Sequence, residues 1–184
     1  VENVQEIKFS EKVESYGTAV SKKTKSFRVQ KDNLINDLKL KKKVKKGEII
    51  VKLKDGDIIA PFDGSLGYRG LTEDILGSEN SVIITLDDSS IIYSDIKIPE
   101  AYAPIIKKGL PISAKFSGFK EKNYEGEIEG VSSRINAETR SILTRVKIDN
   151  SEFELIPGSL LEVTVYFNDR KSLGIPDTSI ILEG

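Results

Sequence analysis

The sequence between residues 44 and 66 most constrains the fold of this chain, because two short apolar runs flank an Asp-Gly pair. Apolar and lysine residues alternate along the first run, which predicts a strand with one apolar face made of Ile49, Val51 and Leu53. Asp55-Gly56 is typical of a two-residue type I′ turn, in which both central residues have positive φ. We therefore expect a tight β-hairpin centred on Asp55-Gly56.

The second apolar run, Ile58 to Ala60, ends at Pro61, and Asp63-Gly64 predicts a further tight turn. The surrounding sequence nearly repeats at a fixed offset, with Asp32-Asn33 matching Asp63-Gly64. Four further pairs of positions also match: Ile35 and Leu66, Leu40 and Leu71, Val44 and Ile75, and Glu48 and Glu79. The repeat predicts a small pseudo-symmetric β-sandwich of two similar halves, although so few matches also fit chance similarity.

Composition argues against several classes of function. The chain has 28 basic and 29 acidic residues and a net charge of −1, so it lacks the basic excess of nucleic-acid-binding proteins. It contains no His and no Cys, which leaves no residues for Ser-His-Asp or Cys-His catalysis and no nitrogen or sulfur ligands for zinc. The missing Met and His also disfavour export of copper or silver, because soft metals prefer those ligands. We expect no nucleic-acid partner, no metal and no cofactor.

Three groups of carboxylates could act in acid–base catalysis: Glu73-Asp74, Asp87-Asp88, and Glu125 with Glu127 and Glu129. The Glu125 series alternates along a predicted strand, which favours an exposed face, and Asp87-Asp88 is interpreted as a turn. The lysine-rich run 39–46 could bind phosphate, but it lacks interleaved aromatic residues and better fits a solvated strand edge. The sequence therefore predicts that the protein is not an enzyme.

The second half of the chain predicts a β-barrel with one short helix. Strands are expected over residues 91–98, 112–116, 124–131, 142–148 and 160–167. Pro99-Glu100 is typical of a helix start, and Lys107-Lys108-Gly109 is typical of a helix end. In the last strand the apolar positions alternate with polar ones: Leu161, Val163, Val165 and Phe167. Several short strands with one helix favour a closed or nearly closed barrel.

The segments V-K-K-G-E-I-I-V-K-L and A-P-F-D-G-S-L resemble the two halves of the lipoyl-like domain of periplasmic adaptors, also called membrane fusion proteins. In that family a helical hairpin that reaches toward an outer-membrane channel usually separates the halves. Here only Asp55-Gly56-Asp57 stands between them. Three explanations are open: an engineered deletion, arm residues that are missing from this sequence, or an adaptor that naturally lacks the arm. The clean turn and tidy strand ends favour a native short hairpin, similar to the spirochaetal efflux adaptor that lacks the helical arm.

Later segments resemble the barrel of the same family, most specifically Y-E-G-E-I-E-G-V, I-N-A-E-T-R-S-I-L-T-R-V and L-I-P-G-S-L-L-E-V-T-V. The resemblance implies a mainly β fold without an α-hairpin, in three domains. These are a partial membrane-proximal β-domain (1–21 and 168–184), a lipoyl-like β-sandwich (22–88) and a β-barrel domain with one short helix (89–167). Six residues at family-motif positions are expected to be structural: Gly47, Pro61, Gly64, Arg140, Pro157 and Gly158.

The resemblance also implies a function, which is a periplasmic adaptor in a tripartite export pump. Such an adaptor forms a ring that bridges an inner-membrane RND-type transporter and a TolC-like outer-membrane channel. The barrel and membrane-proximal residues would dock on the transporter, and the tip made of Lys54, Asp55, Gly56 and Asp57 would face the channel. Anchoring to the inner membrane would use an N-terminal signal or lipid anchor that this sequence does not include. The missing initiator Met predicts a processed or truncated product.

Two other functions stay open at this point. A lipoyl- or biotinyl-type swinging-arm carrier would be modified near Lys54, because carriers place the modified lysine at the tip of this hairpin. However, Lys52-Leu53-Lys54-Asp55 matches neither carrier motif, and a carrier has no use for the attached barrel. A secreted β-domain with some other partner also fits, since fold does not imply function.

Overall fold

The computed structural model describes residues 5–35, 43–70, 81–116 and 118–174. Within these ranges the chain is mainly β, which confirms the predicted fold class. The strands follow one another as β1 (Gln5–Thr18), β2 (Val20–Gln30), β3 (Lys43–Val44), β4 (Ile49–Val51), β5 (Ile58–Ile59), β6 (Gly64–Gly70), β7 (Ser81–Pro99), β8 (Pro111–Phe116), β9 (Phe119–Asn136), β10 (Ser141–Asp149) and β11 (Leu160–Gly174).

Several sequence-based expectations concern residues outside the described ranges. These are the repeat positions Leu40, Leu71, Ile75 and Glu79, the carboxylates Glu73-Asp74, part of the lysine run and the terminal part of the membrane-proximal segment. The repeat therefore stays a prediction.

The predicted short helix after Pro99 is shorter than expected. Only Glu100–Tyr102 forms a 3₁₀ turn, and the predicted stretch to Gly109 does not continue it. Pro104 explains the stop, because it has no N–H to donate to the carbonyl of Glu100. A second 3₁₀ turn covers Lys31–Asn33. Neither of these two short helices in the described residues is long and apolar enough to cross a membrane.

The chain divides into two compact units, of which the first is the barrel unit (described residues 5–17, 95–146 and 161–174). Its strands are hydrogen-bonded in the order β1, β11, β8, β9, β10 and β7. The two ends of this order approach each other, since the hydroxyl of Ser15 on β1 donates to the carbonyl of Lys97 on β7 at 2.8 Å. The unit is therefore a nearly closed six-stranded barrel, as predicted.

The interior of the barrel unit is filled by alternating apolar side chains. The predicted alternation of β11 is confirmed, since Leu161, Val163, Val165 and Phe167 are all buried. β11 pairs antiparallel with β8, which places Val163 opposite the buried Ala114. The 3₁₀ turn adds Tyr102, whose ring contacts Phe167 edge to face at a centroid distance of 5.7 Å.

The second unit is the lipoyl-like unit (described residues 18–35, 43–70, 81–94 and 147–160). Here β7 pairs with both β2 and β6, and β6 pairs with β3, while β4 and β5 form a separate two-stranded sheet. These elements enclose one apolar core: Val29, Val44, Ile50, Val51, Ala60, Val82, Ile84 and Leu86.

Asp87-Asp88 is not a turn, which corrects the sequence interpretation. Both residues lie within β7, and Asp87 is opposite Thr24 on β2 and Ser65 on β6. The Asp87 carboxylate accepts hydrogen bonds from the hydroxyls of Ser21 and Thr24, next to a register shift in β2. The Asp88 carboxylate accepts from the N–H and the hydroxyl of Ser90, so both acidic residues have hydrogen-bond partners and are tolerated within the strand.

Candidate functional site

The predicted channel-facing tip is the connection between β4 and β5, and it differs from the expected two-residue turn. The strands pair at Ile49 with Ile59 and at Val51 with Ile58, which leaves residues 52–57 as a six-residue connection. Within the connection only Gly56 has positive φ, at 130°, and its N–H donates to the carbonyl of Leu53. A type I′ turn would need positive φ at Asp55 as well, so that prediction is wrong.

The reason is a pairing with a distant segment that local turn chemistry does not reveal. Residues 52–54 leave β4 and pair with residues 33–35, where Leu34 and Leu53 form an antiparallel bridge. The N–H of Lys54 donates to the carbonyl of Asn33 at 2.9 Å, and the N–H of Ile35 donates to the carbonyl of Lys52. Because of these hydrogen bonds to a distant segment of the same chain, a wider loop replaces the expected tight turn.

Two side-chain hydrogen bonds hold the same pair of loops together. The ammonium of Lys54 donates to the carbonyl of Asp32 at 2.7 Å, and the amide of Asn33 donates to the carboxylate of Asp55 at 2.8 Å. We call residues 31–35 and 52–57 together the clamped tip. The sequence analysis assigned Lys54 to Asp57 to the tip. It named Asp32 and Asn33 only as positions of the internal repeat and did not predict that they contact the tip.

Asp57 is an exposed residue of the clamped tip that is available to a partner. It is exposed, and its carboxylate has no hydrogen-bond or ion-pair partner among the described residues. The side chains of Lys54 and Asp55, by contrast, are hydrogen-bonded to residues 32 and 33.

The face of β4 is also different from the prediction. Ile49 is 44% exposed, whereas Ile50 and Val51 are 8% and 7% exposed, so strict alternation fails. A register irregularity between Ile49 and Val51 turns two successive side chains toward the core.

Gly47 lies in a turn at the opposite end of β4 from the clamped tip. Its φ of 86° and the hydrogen bond from the N–H of Glu48 to the carbonyl of Lys45 are typical of a type II turn. The Glu48 carboxylate accepts from the N–H of Lys45, and the Asp63 carboxylate accepts from the N–H of Lys46 at 2.7 Å. The K-K-G-E and A-P-F-D motifs are therefore hydrogen-bonded to each other, so each motif helps to fix the conformation of the other.

Pro61 and Gly64 occupy the bend between β5 and β6. The backbone bends over residues 61–63, and Gly64 is the first residue of β6, without positive φ. The predicted tight turn at Asp63-Gly64 is thus wrong, and the glycine is needed for close approach. A Cβ at Gly64 would lie 2.6 Å from the carbonyl oxygen of Asp87 on the paired strand.

Arg140 ends the turn between β9 and β10 in the barrel unit. It has a left-handed backbone, with φ of 48°, and its carbonyl accepts from the N–H of Glu100 at 2.9 Å. Its guanidinium lies 3.6 Å from the carboxylate of Glu100. Arg140 therefore attaches the hairpin to the 3₁₀ turn.

Pro157 and Gly158 form a second type II turn, with φ of 92° at the glycine and a hydrogen bond from Ser159 N–H to the carbonyl of Ile156. This turn is bonded to the junction between β1 and β2. The N–H of Gly158 donates to the carbonyl of Ala19, and the N–H of Ala19 donates to the carbonyl of Ser159, both at 2.8 Å.

Asn150 organises the loop before that turn, a role that the sequence analysis did not assign. Its side chain is buried and makes three hydrogen bonds. The amide nitrogen donates to the carbonyls of Ser89 (2.7 Å) and Leu155 (3.0 Å), and the amide oxygen accepts from the N–H of Leu155 (2.9 Å).

A cavity of about 640 Å³ lies beside β3 in the lipoyl-like unit. Lys43, at one wall, places its ammonium 4.0 Å from the centroid of the Phe153 ring. Two of the acidic residues in the wall, Glu48 and Asp63, are the ones that hold the Gly47 turn. Within the described ranges, no group of three or more acidic residues is placed to hold a metal ion.

The barrel also matches a known family. Residues 93–168 match the family model described as the CusB-like β-barrel domain. The nodulation protein NolF of Rhizobium meliloti (strain 1021) is 22% identical over 129 residues, which are 70% of this chain and 35% of NolF. The chain thus spans about a third of the length of this relative.

Solved structures share the fold. A MacA–MexA chimera that contains the Pseudomonas aeruginosa MexA α-hairpin domain gives a TM-score of 0.65 at 16% identity, covering 100% of this chain and 93% of the chimera. The membrane fusion protein Spr0693 from Streptococcus pneumoniae R6 gives a TM-score of 0.57 at 10% identity, covering 83% and 98%. The narrower resemblance to the spirochaetal adaptor stays a prediction. Residues 93–168 of the chain therefore match the CusB-like β-barrel domain, and the chain shares its fold with solved membrane fusion proteins, also called periplasmic adaptors.

Proposed function

We propose that this protein is a periplasmic adaptor that bridges an inner-membrane RND-type transporter and an outer-membrane channel in a tripartite export pump. The match of residues 93–168 to the CusB-like β-barrel domain, together with the fold shared with membrane fusion proteins, is the observation that supports the proposal. The adaptor is anchored to the inner membrane, acts as a ring of several copies and performs no catalysis, so its interfaces constitute its mechanism.

The three-domain division implied by the family resemblance belongs to this proposal. The lipoyl-like domain (22–88) stacks against its copies, while the barrel domain (89–167) and the membrane-proximal segments (1–21 and 168–184) dock on the transporter. The clamped tip faces the channel. Between β4 and β5 the described chain has six residues and no helix, which supports direct contact by the tip instead of through a helical arm.

Co-purification from native envelopes tests the bridging role. An affinity-tagged copy of the protein, expressed in its source cell and recovered after mild crosslinking, is expected to bring down both an inner-membrane transporter and an outer-membrane channel. Recovery of neither, under conditions in which the transporter and channel are both detected in the extract, would refute the proposal. Intact-mass measurement on the same sample tests the carrier alternative, which requires a lipoyl or biotinyl adduct on Lys54.

A further inference from the structure

The barrel unit has a basic groove of about 300 Å³ at the base of the β9–β10 hairpin. Its charged lining residues are Lys97 and Arg134, and no carboxylate lines it. Neither cationic side chain has an ion-pair or hydrogen-bond partner within the described ranges. Ile135 and Leu143, 40% and 48% exposed, add apolar surface beside the charges. The groove therefore offers two uncompensated positive charges and an apolar floor to a partner.

The hairpin that carries the groove extends away from the apolar core. Residues 132–140 are all exposed, and their fold is fixed locally by the side chain of Asn136, which accepts from the N–H groups of Glu138 and Thr139. This Asx turn preorganises the groove, so binding would order little additional chain.

Strand β9, which contributes Arg134 to the groove, carries negative charges nearer its middle. Glu125 and Glu127 are exposed on β9, and neither carboxylate has a partner in the part of the chain that the structure describes. Their neighbours across the strand pair are Ser113 and Pro111, which bring no compensating charge. The third member of the series, Glu129, is already paired with Lys108 at 3.3 Å.

The groove and the acidic pair cannot meet within one copy. Glu127 and Arg134 lie on one strand, and at about 3.3 Å per residue their backbones are roughly 20 Å apart. A second copy of the chain, however, presents the acidic pair as a separate surface. Opposite charges on two different patches of one molecule favour a head-to-tail contact, and such contacts generate a ring when the rotation between neighbouring copies closes.

We infer that neighbouring adaptors contact each other through their barrel units, with Glu125 and Glu127 of one copy docked in the Lys97–Arg134 groove of the next. The inference rests on the ring of the proposed function and supplies a specific contact for it. The charges set the direction of the contact, and Ile135, Leu143 and Pro111 exclude water around them. Because each exposed ion pair contributes little, the contact depends on many copies assembling together.

Directed disulfide formation tests the contact, and the absence of native cysteine makes the experiment clean. Full-length Arg134→Cys and Glu127→Cys variants are oxidised separately and as an equimolar mixture. We expect the mixture to yield several-fold more covalent dimer than either variant alone, because only the mixed pair is juxtaposed in a head-to-tail contact. A mixture that yields no more dimer than the separate variants would overturn the inference.

Charge reversal supplies a second, independent readout by native mass spectrometry of the assembled complex. Arg134→Glu is expected to weaken self-association on the order of tenfold, because it converts attraction into repulsion. Combining it with Glu127→Arg on the same chain should restore association, while Arg170→Glu, the same charge reversal at an exposed arginine of the barrel unit, serves as the matched control without effect. If Arg134→Glu leaves self-association intact but prevents recovery of the transporter, the groove binds another protein and the inference is wrong. Loss of self-association with retained channel and transporter in the native envelope separates this contact from the bridging function.

Discussion

At the scale of single residues, we expect buried hydrogen bonds to contribute more to the stability of this fold than ion pairs do. Asn150 satisfies three backbone groups inside the lipoyl-like unit, and no apolar side chain can do the same. The arginine–carboxylate pairs, in contrast, are largely exposed, and exposed pairs are screened by water.

Replacement of Asn150 should therefore be costly. Asn150→Leu keeps the volume but leaves the carbonyls of Ser89 and Leu155 and the N–H of Leu155 without their partner. We expect a loss of about 3 kcal/mol in the free energy of unfolding, since each buried unsatisfied group costs ~1–3 kcal/mol. Urea denaturation measures it. Ser151→Ala, at the exposed neighbouring position, is the control and should change stability by less than ~0.5 kcal/mol.

The pair of Asp95 and Arg145 predicts a pH dependence. The guanidinium donates two hydrogen bonds of 2.7 Å to the carboxylate, which lowers the pKa of Asp95 below its ordinary value of 3.8. Because the pKa of Asp95 is lower in the folded protein than in the unfolded one, the ion pair stabilises the fold at pH values above the unfolded-state pKa. This stabilisation is lost as the pH falls through the folded-state pKa.

Asp95→Asn is accordingly expected to reduce the free energy of unfolding at pH 7 by less than ~1 kcal/mol, because both side chains are partly exposed. At a pH well below 3.8 the variant and the wild type should have the same stability. Arg145→Gln should show the same pattern. A difference that persists unchanged into acid would show that packing, and not charge, accounts for the effect.

At the scale of elements, the sequence predicted strands well where apolar and polar residues alternate in the barrel unit, but it missed residues 81–90 of β7, where Asp87-Asp88 was interpreted as a turn. β8, β10 and the first half of β11 were predicted almost to their ends, because apolar residues alternate along them. β9 was predicted too short, since residues 132–136 project beyond the core and carry no apolar pattern. The position of the β4–β5 connection was predicted, but its backbone conformation was not. That conformation depends on pairing with residues 33–35, which are distant in the sequence.

Strand β10 contains a polar group that the barrel does not use. Thr144 is fully buried, and its hydroxyl has no hydrogen-bond partner among the residues that the structure describes. Thr144→Val keeps the shape and removes the unsatisfied group, so we expect the free energy of unfolding to rise by about 1 kcal/mol. Thr164→Val on β11, at a partly exposed position, is the matched control and should have little effect. Destabilisation by Thr144→Val would mean that the hydroxyl has a partner in solution.

At the scale of the whole molecule, the proposed adaptor function depends on which part of the protein contacts the channel. The comparisons support the β-barrel domain and the shared fold, whereas the direct contact by the clamped tip is a proposal drawn from the six-residue connection between β4 and β5. The most direct test places a photo-crosslinking residue at Asp57, which is exposed and takes no part in the clamp.

The measurement is the identity of the crosslinked partner after irradiation of intact cells. A crosslink from position 57 to an outer-membrane channel, with none from the matched exposed position Lys25 on β2, is the predicted result. If position 57 crosslinks to no channel while the pump is assembled and active, the channel does not rest on the clamped tip, and the central claim is contradicted.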